Sequence, residues 1–116
     1  MDNQTKSPEE QILDYLNEIA GRRFKPIKAN LKGISARFKD GYTMEQMKAV
    51  IMIKTLEWKN NEVMALHLDP VTLFRPSNFD KYMNQVLIVQ AQPEKYKQYY
   101  EQLNNTASDP IDQMFK

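Results

Sequence analysis

The 116-residue chain has no cysteine, one histidine, three glycines and no long hydrophobic run. Without cysteine it has no disulfide, no thiolate metal ligand and no cysteine nucleophile, and this composition suits a reducing compartment. A single histidine, His67, excludes a multi-histidine metal site within one chain. Three glycines leave no glycine-rich phosphate-binding loop. No apolar run reaches the roughly 18 residues of a membrane span.

The side chains that carry catalytic chemistry are also sparse. The carboxylates are scattered, without a close pair at acid–base or metal-binding spacing, and His67 has no second member of a catalytic pair. The polar N-terminus has no signal-peptide apolar region. We therefore expect a non-enzymatic, soluble, intracellular protein with no cofactor, no bound metal and no membrane partner.

The length fits a single domain that can bury a core. Two segments, Ser7–Glu10 and Thr43–Gln46, have the sequence pattern of a helix-capping box. They predict one helix from Pro8 to Ala20, ended by Gly21, and another that starts after Thr43 and runs to about Trp58 or Lys59. The second of these is apolar on two sides, which is typical of a central helix packed by neighbours on both.

Further helical segments follow from apolar spacing and from prolines at helix starts. They are a helix from Ile27 or Lys28 to Lys39, a short helix at Glu62–His67, a single turn begun by Pro70, a helix capped by Ser77 or Asn78 and ending near Ala91, and a last helix from Pro93 through Leu103. No useful strand alternation occurs. The prediction is a compact all-α domain of five or six helices over residues 7–103, between a flexible lead-in at 1–6 and a flexible tail at 104–116.

Positive charge is concentrated in one segment of the chain. From Arg22 to Lys39 there are seven basic residues and no acidic one, whereas the rest of the chain has nine basic and fifteen acidic residues. The segment therefore has a net charge of +7 and the remainder −6, a separation that produces a directed field. Pro26 divides the segment into a cationic connector and an amphipathic helix, since it disfavours a helical Lys25.

Within that helix Leu31, Ile34 and Phe38 form the predicted inward stripe, which places three lysines on one flank. The candidate DNA-binding residues are Arg22, Arg23, Lys25, Lys28, Lys32 and Lys39. Cations spaced in this way can track a phosphate backbone and release counterions, whereas the composition alone favours a solvated helix side. Phe24 lies among the cations and can either stack on a base or pack into the core.

Lys54 lies in the middle of an apolar stripe that ends at Trp58. Its ammonium can extend past the core edge, pair with an acidic residue of a neighbouring helix, or contact DNA. For Trp58 a core position is favoured, and a stacking platform for single-stranded DNA is the alternative.

Three blocks of sequence occur in an order typical of one family. They are I-L-D-Y-L-N-E-I-A-G-R-R-F-K-P at 12–26, A-R-F-K-D-G-Y-T-M-E-Q-M-K-A-V-I followed by K-T-L-E-W between 36 and 58, and L-D-P-V-T-L-F-R-P-S-N-F-D-K-Y-M-N at 68–84. Over this span the chain resembles the conserved C-terminal domain of phage replication proteins, the DnaD-like replisome organisers of phages in Gram-positive bacteria. The resemblance implies an all-helical domain, similar to the second domain of DnaD, that acts in phage DNA replication initiation in the host cytoplasm.

The resemblance also implies partners. They are DNA, single- or double-stranded and bound with weak sequence preference, and the host helicase or helicase loader. The alternative is a protein-interaction module that binds or inhibits host replication factors, such as the helicase loader, without contacting DNA. A second copy of the chain, forming a homo-oligomer, is a further candidate partner.

The chain departs from the family pattern in two ways. Family members usually carry an N-terminal winged-helix domain that this chain does not have, which predicts either a fragment of a longer protein or a free-standing version. The tyrosine-isoleucine-tryptophan pattern of DnaD is met only at Trp58, with Val50 and Lys54 at the other two positions.

The last residues, D-P-I-D-Q-M-F-K at 109–116, combine acidic and apolar side chains. This pattern resembles the short peptides that dock on replication proteins such as the sliding clamp. Ile111, Met114 and Phe115 are its candidate partner-binding residues, and plain disorder is the alternative.

Overall fold

A computed structural model of the protein describes residues 6–106, with side chains described through residue 103. Within this range the chain forms α-helices joined by short turns and contains no strand. The elements are α1 (Pro8–Ala20), α2 (Lys28–Lys39), α3 (Met44–Trp58), a 3-10 helix (Met64–His67), α4 (Pro70–Leu73), α5 (Pro76–Ala91) and α6 (Lys97–Thr106). The predicted all-α architecture is confirmed.

Local side-chain chemistry places the ends of α1 and α3 where the sequence predicts them. The hydroxyl of Ser7 accepts a hydrogen bond from the backbone N–H of Glu10 at 3.1 Å. Thr43 and Gln46 form both bonds of a capping box, at 3.1 and 2.8 Å. Gly21 ends α1 in the left-handed conformation at φ 68°, which costs glycine little because it has no Cβ.

Two predicted boundaries are wrong. Helix α5 begins at Pro76 with Arg75 as its N-cap, and is not capped by Ser77 or Asn78. Proline suits the first helical position because its missing N–H would have no partner there. The last helix begins at Lys97 rather than at Pro93, because residues 93–96 form the turn that connects it to α5.

Helix α3 is the centre of the domain. It packs against α1, α5, α6 and the 3-10 helix, which explains why it is apolar on two sides. Nine of its residues are buried, including Lys54 and Trp58. Helix α2 instead packs on α1 and on α4, so its remaining surface faces solvent. Four of the seven cations of the basic segment, Lys28, Lys32, Arg37 and Lys39, are therefore on a peripheral helix.

Helices α2 and α4 approach each other closely at Gly33. A Cβ added at Gly33 would lie 3.0 Å from the Cβ of Phe74 and 3.3 Å from its carbonyl oxygen. The side chain of Phe74 is fully buried, so this neighbour is held in place by the core. A glycine inside a helix costs about 1 kcal/mol relative to alanine, and here it permits a contact that a larger residue would push apart.

Candidate nucleic-acid interface

The lysine row of α2 follows from the way the helix is seated. Ile34 is fully buried, and Leu31 and Phe38 are partly buried against the same core. The inward stripe predicted from the sequence is therefore present, with Ile34 as its most enclosed member. Lys28 and Lys39 lie on the exposed side, as does Lys32.

These three lysines line one open groove of about 680 Å³. The floor of the groove on α2 is formed by Leu31, Ser35 and Ala36, while Ser7 and Glu9 form the opposite wall at the start of α1. Lys28 and Lys39 are eleven positions apart, which is about 16 Å along a helix axis at 1.5 Å per residue. The predicted sharing of one flank is thus confirmed by the geometry.

The connector cations lie elsewhere. The guanidinium of Arg22 donates hydrogen bonds to the backbone carbonyl oxygens of Ala20 at 3.0 Å and of Ala65 at 2.7 Å. It therefore ties the connector to the 3-10 helix. Arg23 and Lys25 are exposed. In the part of the chain that the structure describes, none of the three lines the groove of the lysines, so the six candidates do not share one groove.

The connector itself is held rigidly against α1. The side-chain amide of Asn17 donates to the carbonyl oxygen of Phe24 and accepts from its backbone N–H, both at 2.9 Å. The ring of Phe24 packs against the core. Of the two roles considered for Phe24, the structure shows packing.

Arg37 is a basic residue of α2 that turns inward rather than outward. Its side chain is 7% exposed and pairs with Asp40 at 2.9 Å through Nε. Its Nη1 donates to the carbonyl oxygen of Phe74 at 2.7 Å. The guanidinium therefore joins α2 to the end of α4, an outcome that helical spacing alone does not reveal.

A second, smaller groove of about 270 Å³ lies on the other side of α2, between α2 and the α4–α5 corner. Lys32 lines this groove as well as the first one, and Arg75 lines it from the start of α5. The remaining lining is mainly apolar and includes one further basic residue; it is formed by Ala29, Gly33, Ala36, Arg37, Val71, Phe74 and Pro76. Sequence reasoning missed Arg75, because it stands outside the basic segment and only the fold places it beside Lys32.

Lys54 is buried inside a polar and aromatic cluster between α3 and α5. Its ammonium donates to Glu57 Oε1 at 2.7 Å and to Gln85 Oε1 at 3.0 Å. It also lies 4.3 Å from the ring centroid of Trp58 and 4.4 Å from that of Tyr82. The acidic partner comes from the same helix, and the neighbouring helix supplies an amide, so of the roles considered for Lys54 the ion pair is present but within α3 rather than between helices. Trp58 itself is a core residue.

The charges of this cluster shift two pKa values. Partial burial alone would raise the pKa of Glu57, but hydrogen bonds from Lys54 and Gln85, together with the charge of Lys54, lower it below its ordinary value. Burial raises the pKa of the Tyr82 hydroxyl, and the negative charge of Glu57 raises it further. The ammonium of Lys54 makes its described hydrogen bonds and ring contacts within this cluster, which favours a structural role for Lys54 over contact with DNA.

Among the described residues no group of three or more histidine or acidic side chains could hold a metal ion. No helix in the same range is long and apolar enough to cross a membrane. The candidate partner-binding residues Ile111, Met114 and Phe115 lie outside the described residues.

Comparison with known proteins identifies a family for this chain. Residues 12–84, more than half of the chain, match the model of a family described as conserved phage C-terminus. No curated protein and no solved structure matches the chain significantly. The matched range includes both grooves of α2, except the α1 wall formed by Ser7 and Glu9, and it includes the Lys54 cluster except Gln85. The protein therefore belongs to the conserved phage C-terminus family.

Proposed function

We propose that this phage protein domain binds DNA through the lysine row of α2, Lys28, Lys32 and Lys39, in the initiation of phage DNA replication. The observation that carries the proposal is that three exposed lysines line one groove. Among the ion pairs of the described residues none involves these lysines, so their charge is available to a ligand.

The shape of the groove favours one path for a phosphate backbone. Glu9 lines the wall opposite the lysines and repels phosphate, so the backbone is expected to follow the α2 side. The row is about 16 Å long, and each of its cations releases a counterion when it neutralises a phosphate. Contacts of this kind carry no base readout, which agrees with weak sequence preference.

Binding is tested by fluorescence anisotropy with labelled oligonucleotides at about 50 mM and about 200 mM salt. Three phosphate contacts predict a slope of log K against log salt of about −2 for single strands and about −3 for duplex. Charge reversal of the row, Lys28→Glu with Lys32→Glu and Lys39→Glu, is expected to abolish binding.

The matched control reverses three exposed lysines that lie outside both grooves, Lys59, Lys81 and Lys97. Both triple variants change the net charge equally, so a general effect of charge would weaken both. Equal binding by the two variants, or no binding by the unmodified protein at low salt, would refute the proposal.

The second part of the proposal is that the domain helps to recruit or load the host replicative helicase. It is supported by the resemblance to DnaD-like replisome organisers. Arg23 and Lys25 in the connector are predicted to make additional DNA contacts. Single substitution of each residue to glutamate, measured in the same assay, tests this prediction.

A protein-interaction module that contacts no DNA is the alternative, and one observation favours it. Val63 and Leu66, at the 3-10 helix, are 66% and 76% exposed. Residues three positions apart lie on one side of a 3-10 helix, and clustered exposed apolar surface is typical of contact surfaces. Binding of the purified host helicase and helicase loader by the unmodified chain, and its loss in a Val63→Ser, Leu66→Ser variant that keeps DNA binding, would place the protein contact there.

A further inference from the structure

We propose that the ligand of this surface is single-stranded, and that its path crosses α2 at Lys32 and continues into the groove between α2 and the α4–α5 corner, where Arg75 contacts a further phosphate. This inference rests on the proposed function, because it extends the same binding surface. It adds one contact residue outside the basic segment and specifies the class of nucleic acid.

Continuity of the two grooves is the first observation. Lys32 lines the groove of the lysine row and also the groove that contains Arg75. Ala36 lines both grooves as well, so the surface passes over α2 without an intervening wall of another element. A flexible single strand can follow such a bend, whereas a duplex resists bending over so short a distance.

The state of Arg75 is the second observation. Its side chain is exposed, and none of the ion pairs among the described residues involves it. The nearby carboxylate of Asp69 accepts hydrogen bonds from the backbone N–H and the hydroxyl of Thr72, at 2.7 and 2.9 Å. The first turn of α5 contains no acidic residue. Arg75 is therefore an exposed cation that lines the same groove as Lys32 and takes part in none of these ion pairs.

The apolar floor is the third observation. Val71 is 51% exposed and lies in the second groove with Pro76 and Ala29. Leu31 and Ala36 form the apolar part of the first groove. The bases of a duplex are stacked inside and cannot cover such surface, whereas the unstacked bases of a single strand can. Apolar surface between rows of cations therefore favours a single strand.

Substitution of Arg75 tests the added contact. One phosphate contact to a single strand contributes about 0.7 to the salt slope, which corresponds to about fivefold in affinity at about 0.1 M salt. We expect Arg75→Gln to lose about this factor and to flatten the slope by about 0.7, with a larger loss in Arg75→Glu. Lys97→Glu on α6, which reverses an exposed lysine outside both grooves, is the control and is expected to bind normally.

The base contact is tested with three labelled ligands of equal length: an oligothymidylate, an abasic strand with the same phosphates, and a duplex. We expect the oligothymidylate to bind tightest, and Val71→Ser to weaken it while leaving the abasic strand unchanged. Circular dichroism serves as the control for folding. We expect each variant to be folded because the side chains of Arg75 and Val71 are exposed.

The outcomes separate this inference from the proposed function. If Arg75→Gln and Arg75→Glu bind as the unmodified protein does while reversal of the lysine row abolishes binding, the extension is wrong and the proposed function stands. If the duplex binds as tightly as the oligothymidylate, the single-strand assignment is wrong. If the abasic strand does so, the base contact is wrong. If the unmodified protein binds none of the three, the proposed function itself fails.

Discussion

Replacement of Gly33 by alanine tests the seating of α2, and with it the position of the lysine row. In a helix interior this change would ordinarily stabilise the protein by about 1 kcal/mol. Here the added Cβ would lie 3.0 Å from Phe74 Cβ and 3.3 Å from the Phe74 carbonyl oxygen. Both atoms are closer than ordinary van der Waals contact allows, so α2 or α4 must move.

Phe74 has little freedom to move away from the added Cβ. The side chain of Phe74 is fully buried and its ring stacks on that of Phe79 with centroids 5.5 Å apart. Its carbonyl oxygen accepts the hydrogen bond from Arg37. Overpacking of a well-filled core costs roughly 1–3 kcal/mol, which exceeds the helical gain. We therefore expect Gly33→Ala to lower the free energy of unfolding by about 1 kcal/mol net.

The assay is urea unfolding at neutral pH, followed by the fluorescence of Trp58, the chain's one tryptophan, which is 7% exposed in the folded protein. The control pair is Ser35→Ala and Ser35→Gly, on the same helix but outside the groove that faces α4. The difference in unfolding free energy between these two variants measures the cost of a glycine in α2 at a position that does not contact Phe74. A Gly33→Ala protein as stable as the unmodified chain, or more stable, would refute the reasoning.

Two further predictions concern the buried cluster of Lys54. Lys54→Met keeps the apolar stem of the side chain, whereas Lys54→Ala removes it and leaves a cavity. We therefore expect the alanine variant to be less stable than the methionine variant by roughly 2 kcal/mol in urea unfolding. Equal stability of the two variants would contradict the described packing. Glu57 has a folded pKa below its ordinary 4.5, so as the pH falls the unfolded chain takes up the proton first. The free energy of unfolding is therefore expected to be constant above about pH 4.5 and to decrease as the pH is lowered further. The decrease is expected to be smaller in Glu57→Gln. An identical pH dependence of the variant and the unmodified protein would contradict this expectation.

The sequence determined the local structure of this protein to a large extent. The capping residues Ser7 and Thr43, the left-handed Gly21 and the helix-starting Pro8 act on their immediate neighbours, so their effects can be read from adjacent residues. The two errors at helix starts came from similar signals. Near α5, both a proline and two capping side chains were available, and before α6 a proline opened a turn rather than a helix.

Only the tertiary structure decided which cations line an open groove. Arg22 and Lys28 belong to the same basic segment, yet one guanidinium binds backbone carbonyl oxygens while the ammonium of the other lines an open groove. Arg37 is buried against Phe74, and Arg75, outside the segment, joins Lys32. The physical reason is that charge and helical period are properties of the local chain, whereas exposure and juxtaposition depend on which distant elements pack against each residue.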